Sequence, residues 1–182
     1  MKGEIPVSFD YERLIVDIPD FPQPGVVFKD ITPVLADPEG FASLVDSIAE
    51  HFAGRGITKV IGAEARGFMV GAPVAYKLGA GFVPARKPGK LPRETYREEF
   101  QLEYGTDSLE VHKDLISPDD VVLVVDDLVA TGGTVKAMVA LVEQTGAELA
   151  GMGFFMELAF LKPREAIAEA TDAEVLTLYV VE

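Results

Sequence analysis

The sequence predicts an α/β fold: a doubly wound, mainly parallel five-stranded sheet with helices on its flanks. The most direct observation is the run VVLVV at 121–125, since five branched apolar residues in a row are typical of a strand buried on both faces. A second is the alternation of short apolar runs with stretches of helical periodicity. A length of 182 residues fits one domain, and we expect 1–182 to form it.

The first predicted helix follows Asp37-Pro38, an N-cap residue with proline at the first helical position. Its apolar stripe continues to Phe52, and two glycines beyond it end the helix. The next predicted elements are a strand at 59–63, a helix at 68–78, which Pro73 should kink or shift at its start, and a strand at 81–85.

Residues 86–112 interrupt this alternation because they are polar and contain several prolines and glycines, as a long loop or hairpin would. Regular elements then resume. They are the strand at 121–125, a helix after residue 134 capped by Gly146, a strand at 149–157, a short helix at 162–170 and a last strand at 174–181.

Composition and charge exclude several classes of function. With 30 acidic and 16 basic residues the net charge is −14, which disfavours binding to nucleic acids or anionic membranes. Solubility alone explains this excess of acidic residues, and adaptation to a salt-rich habitat is the alternative explanation. No cysteine is present and only two histidines, so disulfides, thiolate metal sites and His-rich zinc sites are excluded. No apolar run spans a bilayer and the N-terminus lacks a signal peptide pattern, so we expect a cytoplasmic protein.

The residues most suited to binding or catalysis come directly after the strand at 121–125. Asp126 and Asp127 come first, and the turn Ala130-Thr131-Gly132-Gly133-Thr134 then leads into a helix. Free N–H groups at a helix N-terminus, hydroxyls and glycines suit one phosphate group. The paired acids would repel that phosphate unless they bound ribose hydroxyls or a magnesium ion. The alternative is an N-cap Asp in a tight turn, which leaves the second acid unexplained.

A second cluster is basic. Residues 86–97 contain five of the 16 bases, namely Arg86, Lys87, Lys90, Arg93 and Arg97. In so acidic a chain, such a cluster suits a polyanion, and a leaving pyrophosphate needs cations as its charge develops. A solvated basic loop is the alternative.

The segment VLVVDDLVATGGT, residues 122–134, resembles the phosphoribosyl pyrophosphate signature of type I phosphoribosyltransferases. Four further segments, at 21–35, 62–68, 86–95 and 102–112, resemble the members of that family that act on adenine. The resemblance implies that adenine and phosphoribosyl pyrophosphate give AMP and pyrophosphate with Mg²⁺. It also implies a homodimer, a small N-terminal hood at 1–36 and a mobile hairpin at 86–112 that closes over the site.

The resemblance also implies the roles of individual residues. It assigns ribose and the 5′-phosphate to Asp126, Asp127, Ala130, Thr131, Gly132, Gly133 and Thr134. It assigns pyrophosphate to Arg66, Arg86, Lys87 and Lys90. Arg93 and Arg97 lie on the hairpin, and their charges fit a latch that reaches an anionic ligand only when the hairpin closes. It assigns adenine to Val27, Phe28, Lys29 and Leu128, and proton transfer to Glu103. No direct protein ligand is expected for Mg²⁺, which substrate and water would hold near Asp126 and Asp127.

Several of these assignments have alternatives. Glu103 could be a surface carboxylate on an acidic loop, and Val26, Val27 and Phe28 could be plain core. Lys29 stands where the family usually has Arg, which matters only if the side chain, and not the backbone, contacts the base. The resemblance further implies a cis peptide between Glu64 and Ala65. Rival functions are transfer to another purine and a non-catalytic purine-binding regulator, which usually adds a basic DNA-binding domain.

Overall fold

The computed structural model describes residues 9–101 and 106–182, so Glu103 lies outside the described residues. The strands in chain order are β1 (Val16–Pro19), β2 (Val27–Asp30), β3 (Lys59–Ala63), β4 (Gly81–Ala85), β5 (Thr95–Gln101), β6 (Thr106–His112), β7 (Val121–Val129), β8 (Glu148–Leu158) and β9 (Val175–Val181). The α-helices are α1 (Thr32–Ala36), α2 (Pro38–Phe52), α3 (Arg66–Leu78), α4 (Gly133–Thr145) and α5 (Pro163–Ala168), and a 3-10 helix spans Ala159–Leu161.

Five strands form the central sheet in the order β4-β3-β7-β8-β9, and every neighbouring pair is parallel. This confirms the predicted five-stranded parallel sheet. The crossovers from β3 to β4 and from β7 to β8 place α3 and α4 against the sheet, and β7 occupies its centre. The carboxyl ends of β3, β4 and β7 therefore meet at one edge of the sheet, where ligands bind in folds of this type.

The run at 121–125 divides its side chains between two cores, as a strand covered on both faces must. Val122 and Val124 pack into the core beneath α4. Leu123 and Val125 pack into the other core, which α2 and α3 cover. All four side chains are fully buried. The period of two in a strand, combined with helices on both faces, explains why this segment contains no polar residue.

Strand β7 is longer than the sequence predicts. It continues past Val125 to Val129, because β8 extends alongside it and pairs Asp126 with Phe154 and Val129 with Glu157. The prediction that the two acids follow the strand is therefore wrong in detail. Both acids lie within strand β7, where the sheet holds their backbone.

Two other boundaries differ from the prediction. Helix α3 begins at Arg66, two residues before the predicted start and well before Pro73, which lies inside the helix. Helix α5 is shorter than predicted, because Lys162 adopts a left-handed conformation with φ of 55° and the helix starts at Pro163. The helix predicted after Asp37 is confirmed, and the Asp37 side chain caps it by accepting a hydrogen bond from the Gly40 N–H at 2.8 Å.

Two small antiparallel sheets stand beside the central sheet. Strands β1 and β2 form the N-terminal hairpin, a pairing that their four-residue length concealed in the sequence. Strands β5 and β6 form the second hairpin, in register from Thr95 opposite His112 to Gln101 opposite Thr106. This confirms a hairpin within 86–112, and its mobility stays a prediction. Within the described ranges, no helix has both the length and the apolar character needed to cross a membrane.

An ion pair with one buried partner fixes α5 against the end of the sheet. The guanidinium of Arg164 lies 2.7 Å from a carboxylate oxygen of Glu157, which is buried at the end of β8. The same guanidinium donates to the Val175 carbonyl at 2.8 Å and to the Thr177 hydroxyl at 2.9 Å. Helix α5 in turn lies against the turn before α4, since a Cβ on Gly132 would sit 3.2 Å from that of Ala166.

Arg164→Met should destabilise the protein, because it leaves the buried carboxylate of Glu157 without its cation. We expect a loss of about 2 kcal/mol, less than the ~3–5 kcal/mol of a fully buried pair, since 46% of the Arg164 side chain is exposed. For a chain of this size the melting temperature should fall by roughly 4–8 °C. Thermal unfolding followed by circular dichroism measures it.

Glu165→Gln is the matched control, since Glu165 lies on the same helix as Arg164 and forms an exposed pair with Lys162, the residue before the helix. Exposed pairs of this kind contribute less than ~1 kcal/mol. Equal melting temperatures for the two variants would contradict a structural role for the Arg164 pair.

Candidate active site

A cavity of about 250 Å³ opens where β3 and β7 end and where α3 and α4 begin. It lies at the carboxyl edge of the parallel sheet, the position that the strand order predicts. The residues that line it are Glu64, Ala65, Arg66, Asp126, Asp127, Leu128, Val129, Ala130, Thr131, Gly132, Gly133, Thr134 and Val135. The structure therefore brings all seven residues predicted for ribose and the 5′-phosphate into one cavity, together with Arg66 and Leu128.

The turn at 130–134 is shaped by Gly132. This residue has a φ of 85°, which a side chain would strain, and it is the N-cap of α4. Having no side chain, it cannot cap the first N–H groups of the 13-residue helix. These groups and the positive end of the helix dipole face the cavity, and together they suit one phosphate group.

Asp126 is buried at the base of the cavity and packs against the first turn of α3. One of its carboxylate oxygens accepts a hydrogen bond from the Asp127 N–H at 2.9 Å. The same oxygen lies where Gly67 leaves space, because a Cβ on Gly67 would come within 2.5 Å of it. Gly67 is thus required by the position of this carboxylate, a reason that the sequence alone did not provide.

Burial raises the pKa of both acids. For Asp126 desolvation is the main cause, and the neighbouring charge of Asp127 adds to it, so the pKa is well above its ordinary value. For Asp127 desolvation again dominates, and the Arg66 guanidinium opposes it, so the pKa is raised but not so strongly. The pair is therefore poorly stabilised in its ionised form, which favours any ligand that donates hydrogen bonds to it.

One oxygen of Asp127 has a charge partner but no hydrogen bond. The Arg66 Nε lies 3.0 Å from Oδ2, yet this buried oxygen accepts no well-directed hydrogen bond from any described residue. A buried acceptor in this condition costs free energy until a donor reaches it. A hydroxyl of a bound sugar would supply that donor.

Three of the four predicted pyrophosphate residues, Arg86, Lys87 and Lys90, contact Glu64, to which the sequence analysis gave no role, whereas Arg66 pairs with Asp127. Its carboxylate accepts from the Lys87 N–H at 2.9 Å and lies 3.0 Å from Arg86 Nε and 2.9 Å from Lys90 Nζ. Burial opposes its ionisation, but the hydrogen bonds from Lys90, Lys87 and Arg86 outweigh this and lower the pKa of Glu64 to about 2. Glu64 is therefore anionic, and the Glu64–Ala65 peptide is cis, as the resemblance implies.

The remaining cations of the basic cluster are also paired. The Lys87 side chain lies 2.9 Å from Asp107 on β6, and this contact lowers the pKa of Asp107 and raises that of Lys87. Arg93 and Arg97 form exposed pairs at 3.1 Å with Asp114 and at 3.0 Å with Glu99, respectively. Their latch role stays a prediction, and so does that of Glu103, outside the described residues.

Of the predicted base residues, Val27, Phe28 and Lys29 lie on β2, beside Arg66, and Leu128 lies on β7, where it lines the cavity. The Arg66 guanidinium carbon is 5.6 Å from the centre of the Phe28 ring, so Phe28 adjoins the cavity. Val27 is 54% exposed, which excludes the plain-core interpretation for it. The Lys29 ammonium binds Asp17 across the hairpin at 2.7 Å. This side chain therefore joins β1 to β2, which leaves the Lys29 backbone as the group available to a base.

Comparison with known proteins agrees with this geometry. The family model for the phosphoribosyl transferase domain matches residues 34–172. The adenine phosphoribosyltransferase of Francisella philomiragia is 57% identical over 155 residues, which cover 84% of this chain and 89% of that protein.

Two solved structures extend the comparison to the fold. That of adenine phosphoribosyltransferase from Thermoanaerobacter pseudethanolicus superposes with a TM-score of 0.88 at 47% identity, covering 94% of this chain and 98% of its own. The adenine phosphoribosyltransferase of Saccharomyces cerevisiae was solved with adenine and an iminoalditol bisphosphate. Its structure superposes with a TM-score of 0.85 at 39% identity, and the match covers 92% of this chain and 96% of that one. The match across most of the chain, together with the cavity at the end of β7, shows that this chain belongs to the phosphoribosyltransferase family.

Proposed function

We propose that this chain is an adenine phosphoribosyltransferase, a pentosyltransferase of purine salvage that converts adenine and phosphoribosyl pyrophosphate into AMP and pyrophosphate. The observation that carries the proposal is the end of β7, where two buried acids precede a phosphate-binding turn in one cavity. Relatives about 50–57% identical over most of the chain have this activity in their names.

The ribose 5-phosphate moiety is proposed to bind along the end of β7. Its phosphate accepts hydrogen bonds from the N–H groups of 131–134 and from the hydroxyls of Thr131 and Thr134. Its two ring hydroxyls donate to Asp126 and Asp127. The unsatisfied Oδ2 of Asp127 supports this orientation, because the acids need donors and a phosphate offers none at neutral pH.

The pyrophosphate moiety is proposed to lie on the opposite side of the cavity. Arg66 lines this side, and Glu64, which also lines it, contacts Arg86, Lys87 and Lys90. As the bond from C1′ to pyrophosphate breaks, its electron pair leaves with the pyrophosphate. The four cations stabilise the charge that develops there.

Adenine is proposed to stack on Phe28, with Leu128 on its other face and the backbone of Val27 and Lys29 at its edge. Its N9 nitrogen bonds to C1′ of the ribose and loses its proton, for which Glu103 is the proposed acceptor. The hairpin at 86–112 is proposed to close over the reacting groups, so that water does not capture the sugar.

Mg²⁺ is proposed as the cofactor, bound to the pyrophosphate donor. The donor set fits, because Mg²⁺ binds proteins through one or two carboxylates while substrate oxygens and water complete its coordination. Asp126 and Asp127 are the residues that would hold it, through water. When bound, Mg²⁺ neutralises charge on the leaving group. We further propose that the chain forms one domain, acts in the cytoplasm and is a homodimer, which sedimentation of the purified protein can test.

Pyrophosphate release from phosphoribosyl pyrophosphate tests the proposed function directly. The purified protein is incubated with adenine, guanine, hypoxanthine or xanthine in turn, with and without Mg²⁺. We expect release with adenine and Mg²⁺ at a kcat/KM at least ~100-fold above that with any other base. Release with another purine as the best substrate would favour the rival enzyme. Binding of purine without release would favour a regulator.

A further inference from the structure

Glu64 is a carboxylate in the middle of cations that should bind an anion. Its Oε1 accepts from the Lys87 N–H and lies 2.9 Å from Lys90 Nζ, while its Oε2 lies 3.0 Å from Arg86 Nε. Only 8% of its side chain is exposed, against 35% for Arg86 and 48% for Lys90. The acid is therefore the fixed partner, and the cations are the groups with freedom to move.

The backbone on both sides holds this arrangement in place. The Glu64 N–H donates to the Ala85 carbonyl at 3.0 Å, which continues the parallel pairing of β3 with β4 by one residue. Arg86 exchanges two backbone hydrogen bonds with Glu110, at 2.9 and 2.7 Å. Glu64 and Arg86 are thus neighbours because two strands end side by side, before any ligand binds.

We propose that Glu64 is an internal competitor of pyrophosphate: its carboxylate occupies the donors of Arg86, Lys87 and Lys90, weakens pyrophosphate binding and so favours pyrophosphate release. The inference rests on the proposed function, since it concerns the same anion. A carboxylate and a phosphoryl oxygen accept from the same N–H groups, and each donor that turns to pyrophosphate must leave Glu64.

The charge of Glu64 also acts on any anion that lies in the cavity. Because these cations keep the carboxyl ionised down to about pH 2, Glu64 is negative throughout the physiological range. Its carboxylate lines the same cavity as the phosphate-binding turn, so its charge repels an anion bound there. The full positive charge of the cluster is therefore never available to pyrophosphate, which limits how tightly the product is held.

The test is Glu64→Gln, which keeps the shape and the acceptor for the Lys87 N–H but removes the charge. Calorimetry with pyrophosphate and Mg²⁺ should give a Kd about tenfold lower than that of the wild-type protein. The Kd of AMP should stay within about twofold, because AMP binds at the β7 end of the cavity. An unchanged or higher Kd for pyrophosphate would overturn the proposal, since a merely supporting residue weakens binding when it is changed.

Glu110→Gln is the matched control, since it removes one negative charge from the same region. Glu110 accepts from the Gly89 N–H at 3.2 Å, and its side chain forms none of the ion pairs of the described residues. The pyrophosphate Kd of the Glu110→Gln variant should differ from that of the wild-type protein by less than about twofold. An equal effect of the two variants would mean that net charge, and not Glu64, sets the affinity.

Two further measurements separate the possible failures. Glu64→Ala should shift the pyrophosphate Kd in the same direction, and retained AMP binding shows that each variant is folded. If the wild-type protein forms AMP but Glu64→Gln binds pyrophosphate no more tightly, this inference alone is wrong. If the wild-type protein forms no AMP and binds no pyrophosphate, the proposed function is wrong.

Discussion

Asp127→Asn and Asp126→Asn should each lower kcat/KM for phosphoribosyl pyrophosphate by more than about 100-fold, equivalent to ~2.7 kcal/mol of transition-state stabilisation. Both carboxylates lie in the cavity, and Oδ2 of Asp127 is buried with no hydrogen bond of its own. An amide in either position presents one acceptor fewer to the ribose hydroxyls. Steady-state kinetics with adenine and Mg²⁺ measures the effect.

The same substitution at Asp126 should stabilise the folded protein at neutral pH. Burial, and then the charge of Asp127, raise the pKa of Asp126 above its value in the unfolded chain. The folded state therefore binds more protons than the unfolded state between the two pKa values. The free energy of unfolding falls as pH rises through that window. An asparagine does not titrate, so the variant avoids this loss.

Near pH 8 the melting temperature of Asp126→Asn should exceed that of the wild type by roughly 2–4 °C. A gain of ~1 kcal/mol in the free energy of unfolding would produce this difference. The difference should vanish below about pH 4, where both states of the wild type are protonated at this position. Near-wild-type turnover in both variants would contradict the site assignment. A stability difference that grows on acidification would contradict the assigned pKa direction.

Gly67→Ala should reduce kcat/KM by about 100-fold, although the change adds a single methyl group in a helix. The new Cβ would lie 2.5 Å from the Asp126 carboxylate oxygen, in a buried position where neither group has free space. The carboxylate must turn away, and it then no longer meets the ribose hydroxyls. Kinetics and a melting curve of the same variant separate this loss from unfolding.

Gly71→Ala is the control, one helical turn further along α3. Its Cβ would meet the ring of Phe82 at 2.9 Å, and its nearest neighbours include no atom of either acid. Phe82 is only partly buried and can shift. We expect kcat/KM within about threefold of the wild type. If both variants lost activity equally, the cause would be the helix itself and not the position of Asp126.

The sequence predicted the sheet because the first five residues of its central strand, β7, are all branched and apolar. Five branched apolar residues leave few alternatives to a strand covered on both faces, and the structure distributes them between two cores. The end of that strand was less predictable. Asp126 and Asp127 look like turn residues in the sequence, and only the length of β8 beside them extends the strand to Val129.

The phosphate-binding turn was recognisable because its signal is local. Thr, Gly and acidic residues follow one another within one segment, so no knowledge of the fold was needed to group them. The pyrophosphate cluster is partly local in the same sense. Arg86, Lys87 and Lys90 are close in sequence, and in the structure the side chains of Arg86 and Lys90 and the backbone N–H of Lys87 contact Glu64.

The contact between Glu64 and Arg86 could not be predicted from the sequence for a physical reason. Glu64 stands 22 residues before Arg86, and the two meet only because β3 and β4 pair with Ala63 opposite Ala85. Register between parallel strands depends on how the connecting helix packs, which the sequence pattern does not specify. The same applies to the ion pair between Asp17 and Lys29, which depends on the register of β1 with β2.

A crystal structure with bound AMP would show whether the end of β7 binds ribose 5-phosphate. We expect the AMP phosphate on the turn at 131–134, with both ribose hydroxyls within hydrogen-bond distance of Asp126 and Asp127. We also expect adenine against Phe28, while Arg86 and Lys90 stay in contact with Glu64. An AMP phosphate bound at 86–90, with the turn at 131–134 empty, would reverse the two anion sites and overturn the assignment of ribose 5-phosphate to the end of β7.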